Sequence, residues 1–252
     1  CDEVKADGFD LVDDFSDLFG MNAAGTDAKM RNTKESILEA QFTSGAGNWC
    51  TWMFGRDLVN WNNNFTWAKW VTPSRDLISA FKQEGDEVRF KESIVYYDCN
   101  WSNYYPSDNY PFMYKCRSAN SSIIKYRYAD VLLLKAEALI MQDTPDLEGA
   151  ADIIDKVRDR AKLGALPTSV RSNKNAMLNA LLKERRLELA FEGQRWFDLV
   201  RLDKVEEVMN AVYAKDSGRK AQIYTFDKNS YRLPIPQSVI DANDKIHQNP
   251  GY

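Results

Sequence analysis

The sequence predicts a mainly α-helical protein with long irregular aromatic loops and a few short strands. Three observations point there. From Tyr126 onward, apolar residues recur at helical spacing in one long segment after another. Between Gly45 and Tyr114 that periodicity gives way to glycine, asparagine, proline and clustered aromatic side chains. Partial apolar–polar alternation, the mark of a half-buried strand, shows in the short stretch Ser36 to Thr43.

Taken in order, Gly8 to Gly20 reads as a short helix or turn region ending at a glycine, and residues 22–34 as an exposed polar loop. Ser36 to Thr43 is the candidate strand. Pro73 and Ser74 then open a helix through Arg75–Phe81, proline being tolerated in a first turn. Tyr126 to Met141 carries apolar residues around most of its circumference, with Asp130 and Glu137 on a narrow polar strip, so a mostly buried helix is expected. Leu147 to Leu163 supplies a second helix, with Ile153, Ile154, Val157 and Ala161 at core spacing and Gly164 closing it. The short break at Pro145 makes the two a helical hairpin. After Pro167 a third long helix runs from Asn175 to about Phe191. Paired helices in succession suggest a tetratricopeptide-like arrangement, although no fixed sequence period is visible. The prolines of Tyr231 to Pro236 force an extended segment, after which Ser238 is expected to cap a short helix through Ile240.

The densest stretch is Glu184 to Leu199. At helical spacing Leu178, Leu182, Leu189, Trp196 and Val200 share one face and Leu187 and Phe191 the other, which predicts a helix held between neighbours. Arg185 and Glu192 project near the first apolar face, where a lone charge is costly. They are expected to be partnered, by each other or by Glu188, in a buried ion pair that fixes packing rather than in catalysis.

With 252 residues, 44% of them hydrophobic and 28% charged, the chain reads as soluble and globular, one large domain or two small ones. A net charge of -4 gives no electrostatic reason to bind nucleic acid or an anionic membrane surface. No apolar run approaches the roughly 20 residues of a membrane helix, and no signal peptide is present in these residues. Cys1, Cys50, Cys99 and Cys116 lack CxxC spacing and a nearby histidine, so no metal site is expected, and unpaired thiols are favoured over a Cys99–Cys116 bridge. No cofactor is indicated.

Six of the seven tryptophans lie between residues 49 and 101, interleaved with Asn60, Asn62, Asn63 and Asn64 and followed by tyrosines 96, 97, 104, 105, 110 and 114. Aromatic faces offer CH-rich contact and amides supply paired donors and acceptors, the combination that sugars present in return. For any single ring a satellite core anchoring the loops is an equal account. For the cluster a binding surface is the better one. On composition alone the candidate ligand contacts are Trp49, Trp52, Trp61, Asn63, Trp67, Trp101, Tyr104 and Tyr105.

Five ordered motifs carry a family resemblance. They are Tyr126-Arg127-Tyr128-Ala129-Asp130-Val131 with Ala136-Glu137-Ala138; Val157-Arg158-Asp159-Arg160-Ala161; Glu184-Arg185-Arg186-Leu187-Glu188-Leu189-Ala190-Phe191-Glu192-Gly193; Arg195-Trp196-Phe197-Asp198-Leu199; and Leu233-Pro234-Ile235-Pro236 with Gln248-Asn249-Pro250-Gly251-Tyr252. Together they resemble the SusD/RagB family over residues 126–252, with weaker similarity at Leu11 to Phe19, Glu35-Ser36-Ile37 and Thr72 to Leu77. Gln194 departs from a frequent histidine, and glutamine still hydrogen-bonds. The resemblance implies a SusD-like helical fold in which residues 1–252 form the carboxyl-terminal region. Residues 1–125 would be the loop-rich aromatic part that meets ligand, and 126–252 the helical scaffold and signature tail. It makes Arg185, Glu188, Glu192, Arg195, Trp196 and Asp198 structural signature positions. Family members carry a long helical amino-terminal part before the point matching residue 1, so the chain is expected to be a carboxyl-terminal half with Cys1 an interior residue.

The resemblance also implies a lipid-anchored protein at the extracellular face of the outer membrane. Such a protein captures oligosaccharide, or peptide in the RagB-like branch, for a SusC-like TonB-dependent transporter, without catalysis. Two competitors stand beside that reading. A glycosidase needs two carboxylates across one cleft, and Asp57, Asp98 and Asp108 lie among the aromatics without diagnostic spacing. The only histidine, His247, sits in a polar tail, away from any Ser-His-Asp arrangement. A helical scaffold that touches only the transporter would use the same aromatics as interface anchors.

Overall fold

A computed structural model of the protein describes residues 1–42, 71–100, 102–215 and 225–252. The chain divides into two compact units, Cys1–Gly193 and Gln194–Tyr252. In the first, α1 (Asp2–Ala6), α2 (Ser16–Phe19) and β1 (Ser36–Ala40) are followed by α3 (Arg75–Glu84), α4 (Glu87–Ser93), β2 (Ile94–Tyr97), β3 (Tyr110–Met113) and β4 (Ile123–Arg127). Next come α5 (Tyr128–Met141), α6 (Leu147–Arg160), α7 (Thr168–Arg171) and α8 (Lys174–Glu188). The second unit holds α9 (Arg195–Arg201), α10 (Val205–Lys215), a 3-10 turn at Lys228–Tyr231 and α11 (Gln237–Ala242). The mainly α class and the α5–α6 hairpin match the sequence reading. No helix among the described residues is long and apolar enough to cross a membrane.

The main core lies where α5, α6 and α8 meet. Leu133, Ala136 and Ile140 of α5 pack with Ala150, Ile154 and Val157 of α6 and Met177 and Leu181 of α8, all fully buried. Full burial of each Leu, Ile or Met there is worth about 1.5–3 kcal/mol before entropy is counted. Asp146 caps α6 by accepting from the Gly149 N–H at 2.9 Å. A Cβ on Gly149 would stand 2.3 Å from the Asp146 carboxylate, so the cap requires glycine there.

Two antiparallel ribbons flank this core. β1 pairs with β4, with register shifts at Ser36/Leu38 and Leu38/Glu39, and β2 pairs with β3 in unbroken register from Ile94↔Met113 to Tyr97↔Tyr110. The second register settles the cysteines. Cys99 follows the Tyr97 end of the ribbon and Cys116 follows the Met113 end, separated by about 10 Å of strand. A disulfide needs Cα atoms within about 7 Å, so these two buried cysteines do not bridge each other.

Several sequence-based boundaries move. Tyr126 and Arg127 belong to β4, because Arg127 is extended (φ -143°) and the helix starts at Tyr128. β1 stops at Ala40 and is half-buried without clean alternation, since its register shifts twist successive side chains out of phase. α6 ends at Arg160, and the left-handed residue that stops it is Lys162 (φ 61°) rather than Gly164. Ser238 lies inside α11, whose N-cap is Pro236.

The largest correction falls on Glu184 to Leu199. The helix ends at Glu188, residues 189–193 form turns, and a new helix begins at Arg195. Phe191 (φ 66°) and Gly193 (φ 83°) are both left-handed. Leu189, Trp196 and Val200 therefore do not continue a face shared by Leu178 and Leu182. Helix propensity alone favours continuation through Leu189-Ala190-Phe191; the partners of Glu188 and Glu192, described next, override it.

Candidate functional site

An open groove of about 450 Å3 lies between α3 and the β2–β3 connection, lined by Arg75, Ile78, Ser79, Lys82, Gln83, Tyr96, Tyr105, Pro106 and Asn109. The spacing of the first five places them on one face of α3. The opposite face carries Leu77 and Phe81, buried with Ile94, Leu187 and Ala190. Ser74 fixes the start of α3 by accepting from the Leu77 N–H at 3.1 Å, and left-handed Gly85 ends it. Arg186 of α8 adds an ion pair to Asp76 at 2.5 Å. The signature helix thus positions one wall of the groove.

The other wall comes from the aromatic loop. Along β2, side chains alternate: Val95 and Tyr97 pack with Cys99, Tyr110 and Phe112, while Tyr96 packs on the α3 side. Burial raises the Tyr96 phenol above its ordinary pKa, so the ring enters the site neutral. Tyr105 donates to the Pro73 carbonyl at 2.7 Å and meets Tyr104 and Tyr110 edge-on, with centroids 5.0 and 5.6 Å away. The Arg75 guanidinium stacks on Tyr104 and Tyr105, 4.2 and 4.5 Å from their centroids, and bonds the Tyr104 carbonyl. Tyr105 is therefore both a loop anchor and a groove-lining residue.

The acidic signature residues lie in a buried ionic network. Glu188, fully buried, accepts from Arg127 and Arg160 through one carboxylate oxygen and from Arg89 at 3.0 Å through the other. Arg127 also bonds the Glu188 carbonyl at 2.7 Å and both oxygens of Glu192, at 2.7 and 2.9 Å. Glu35 meets Arg127 at 2.7 Å and Arg160 at 2.5 Å, and Asp86 and Glu184 meet Arg89 at 2.5 Å. Burial alone would raise the Glu188 carboxyl, but Arg160, Arg127 and Arg89 outweigh it and hold its pKa well below the usual range. Asp86 and Glu184 go the other way, burial prevailing over Arg89.

Arg185 pairs with Asp130 at 2.8 Å, not with Glu188 or Glu192, because the helix directs Glu188 toward β4 and α6 and ends before Glu192. In the second unit Asp198, 1% exposed, pairs with Arg201 at 2.8 Å. Trp196 packs 6.4 Å from Phe226, and Arg195 opens α9. These charges are occupied in holding the fold.

A second cavity, about 420 Å3, is walled by Phe19, Met113, Ile124 and Phe191 among others, with Lys115 and Glu192 at its edge. Lys115 bonds Glu192 at 2.6 Å and the Glu188 carbonyl at 2.9 Å, and lies 4.7 Å from the Phe19 centroid. Burial pushes its ammonium down to about 8 against the pull of Glu192. The walls are mainly apolar, Lys115 and Glu192 satisfy each other, and Lys125 adds one exposed charge. A hydroxyl-rich ligand fits the first groove better.

Of the residues singled out from sequence, Trp49, Trp52, Trp61, Asn63, Trp67 and Trp101 lie outside the described residues. Tyr105 lines the groove, and Tyr104 stacks on Arg75 without lining it. Sequence reasoning passed over Arg75, Ser79, Lys82, Gln83 and Asn109. The signal for the first four was their shared polar face on a helix whose other face is apolar.

The SusD family model matches residues 109–252, more than half the chain. SusD-like protein P38 of Formosa agariphila is 42% identical over 99 residues, covering 37% of this chain and 19% of that protein. A SusD superfamily protein from Parabacteroides distasonis superposes with a TM-score of 0.72 at 23% identity, over all of this chain and 55% of that one. Surface glycan-binding protein A from Bacteroides thetaiotaomicron, solved with laminarihexaose, gives a TM-score of 0.70 at 19% identity, over 98% of this chain and 57% of that one. The chain spans just over half the length of these solved structures. By its family match and its helical fold, the chain belongs to the SusD family.

Proposed function

We propose that the protein captures oligosaccharide at the cell surface and delivers it to a SusC-like TonB-dependent transporter, holding its ligand without reacting with it. The observation that carries this reading is the groove in which Tyr96 and Tyr105 stand beside Gln83, Asn109 and Arg75. A sugar ring needs a flat apolar partner for its CH-bearing face and fixed donors and acceptors for its hydroxyls, and this groove supplies both. Tyr105 is held at its hydroxyl and at two ring edges, so little side-chain entropy remains to be lost on binding.

The structural likeness to a glycan-binding protein solved with laminarihexaose supports the ligand class. Family membership supports the transporter partnership, the outer-membrane location and an amino-terminal lipid anchor. Trp49, Trp52, Trp61, Asn63, Trp67 and Trp101 are proposed as further contacts on composition. Calorimetry and affinity electrophoresis against a glycan panel test the reading, with Tyr105, Tyr96 and each tryptophan changed singly to Ala. Weakened binding in the Tyr105 or Tyr96 variant supports the groove. If the panel yields a ligand and neither variant weakens it, the groove is not the site.

A further inference from the structure

We infer that the groove selects glycans carrying a negative charge, a uronate carboxylate or a sulfate ester, over their neutral counterparts. The inference rests on the proposed reading of the groove as a glycan site. The chain as a whole has more acidic than basic residues, 37 against 33. The groove lining inverts that balance, with Arg75 and Lys82 and, among the described residues, no aspartate or glutamate.

Carboxylates elsewhere on α3 are already engaged. Asp76 is held by Arg186 at 2.5 Å, and Glu84 by Arg158 at 2.7 Å and by Lys183. Asp108, beside Asn109 in the loop, is exposed to solvent and not part of the lining. Lys82 is exposed and has no ion-pair partner among the described residues. The Arg75 guanidinium is kept in plane by two tyrosine rings, which brings a second positive charge to the wall at low entropic cost. Seven residues of helix separate Arg75 from Lys82, about 10 Å along the axis. The two cations therefore address different points of an extended ligand, while the tyrosines carry contact with the sugar rings.

Paired probes test this on the full chain: oligogalacturonate against its methyl ester, and a sulfated galactan oligosaccharide against its desulfated form. Affinities are measured by calorimetry at 50 and 500 mM NaCl. One anionic member is expected to bind about threefold tighter than its neutral counterpart, as one exposed ion pair at Lys82 allows, with the advantage shrinking at high salt. Whichever pair shows it identifies the substituent. Lys82→Gln is expected to weaken the anionic member about threefold more than the neutral one, and Lys82→Glu to invert the preference. If the neutral members bind equally well or better while Tyr105→Ala still weakens them, the charge selection is wrong and the groove remains the glycan site. If Tyr105→Ala leaves every affinity as it was, the groove reading fails and the selection falls with it.

Discussion

Arg127 grips Glu188 twice, through the carboxylate and through the main-chain carbonyl at 2.7 Å, and so ties the end of β4 to the last turn of α8. The carbonyl of a helix's final turn has no partner within the helix, and Arg127 satisfies it while pairing the side chain. Glu188→Gln keeps the shape but leaves Arg127, Arg160 and Arg89 without their shared anion. Removing one partner from a buried network of this kind costs about 3–5 kcal/mol. Urea denaturation is expected to show that loss; a change below about 1 kcal/mol would mean that the remaining carboxylates, Glu35 and Glu192, compensate.

Arg185 and Asp130 make a separate test of scaffold against site. Arg185→Ala leaves the Asp130 carboxylate, 8% exposed, without its guanidinium at the α5–α8 contact. A stability loss of about 3 kcal/mol is expected, with glycan affinity of the folded protein unchanged. The groove is lined from α3 and the aromatic loop, and the α8 residues that hold α3 include Lys183, Arg186 and Leu187, not Arg185. A tenfold affinity loss in well-folded protein would refute this division of labour.

How much was legible in the sequence follows from how local each signal is. The α5, α6 and α8 helices were readable because their apolar period repeats within a few residues, and Pro73 and Ser74 marked the start of α3. The stop after Glu188 was not, because Leu189, Ala190 and Phe191 are all compatible with helix and the left-handed Phe191 carries no compositional mark. Buried charges at Glu188 and Glu192 were foreseen, but their partners were not. Arg89 is 99 residues from Glu188 and Arg127 is 65 from Glu192, and pairing at that range follows from packing, which no spacing encodes. The groove was half legible: Tyr105 showed in the aromatic run, whereas the polar face of α3 gained meaning only once the loop lay against it.

Lys115 predicts an unusual pH dependence. Burial lowers its pKa from 10.5 to about 8, with Glu192 opposing and Arg127 adding to the shift. Between about pH 8 and 10.5 the folded protein has released a proton that the unfolded chain still binds, so stability rises with pH across that window. Below pH 8 both states are protonated, and the penalty of a buried ammonium is constant. The stability of the wild type relative to Lys115→Met is expected to improve by on the order of 2 kcal/mol from pH 8 to 10. Urea denaturation of the two proteins at matched pH measures it; a flat or falling difference would show that Glu192 dominates over burial.

Tyr105 separates anchoring from recognition. Its ring lines the groove and supports Arg75, while its hydroxyl holds the loop to Pro73. Tyr105→Ala removes ring and anchor together and is expected to weaken glycan binding about tenfold, the upper range for one aromatic contact. Tyr105→Phe keeps the ring and removes the bond to the Pro73 carbonyl, which orders the loop before ligand arrives. Its loss is expected to be smaller, about twofold, and to appear as faster dissociation, since a loosened loop releases ligand more readily. Calorimetry paired with surface plasmon resonance reads both. Equal losses in the two variants would place the contribution in the anchor and not in the ring, and the sugar would then have to stack elsewhere among the aromatic residues of the loop.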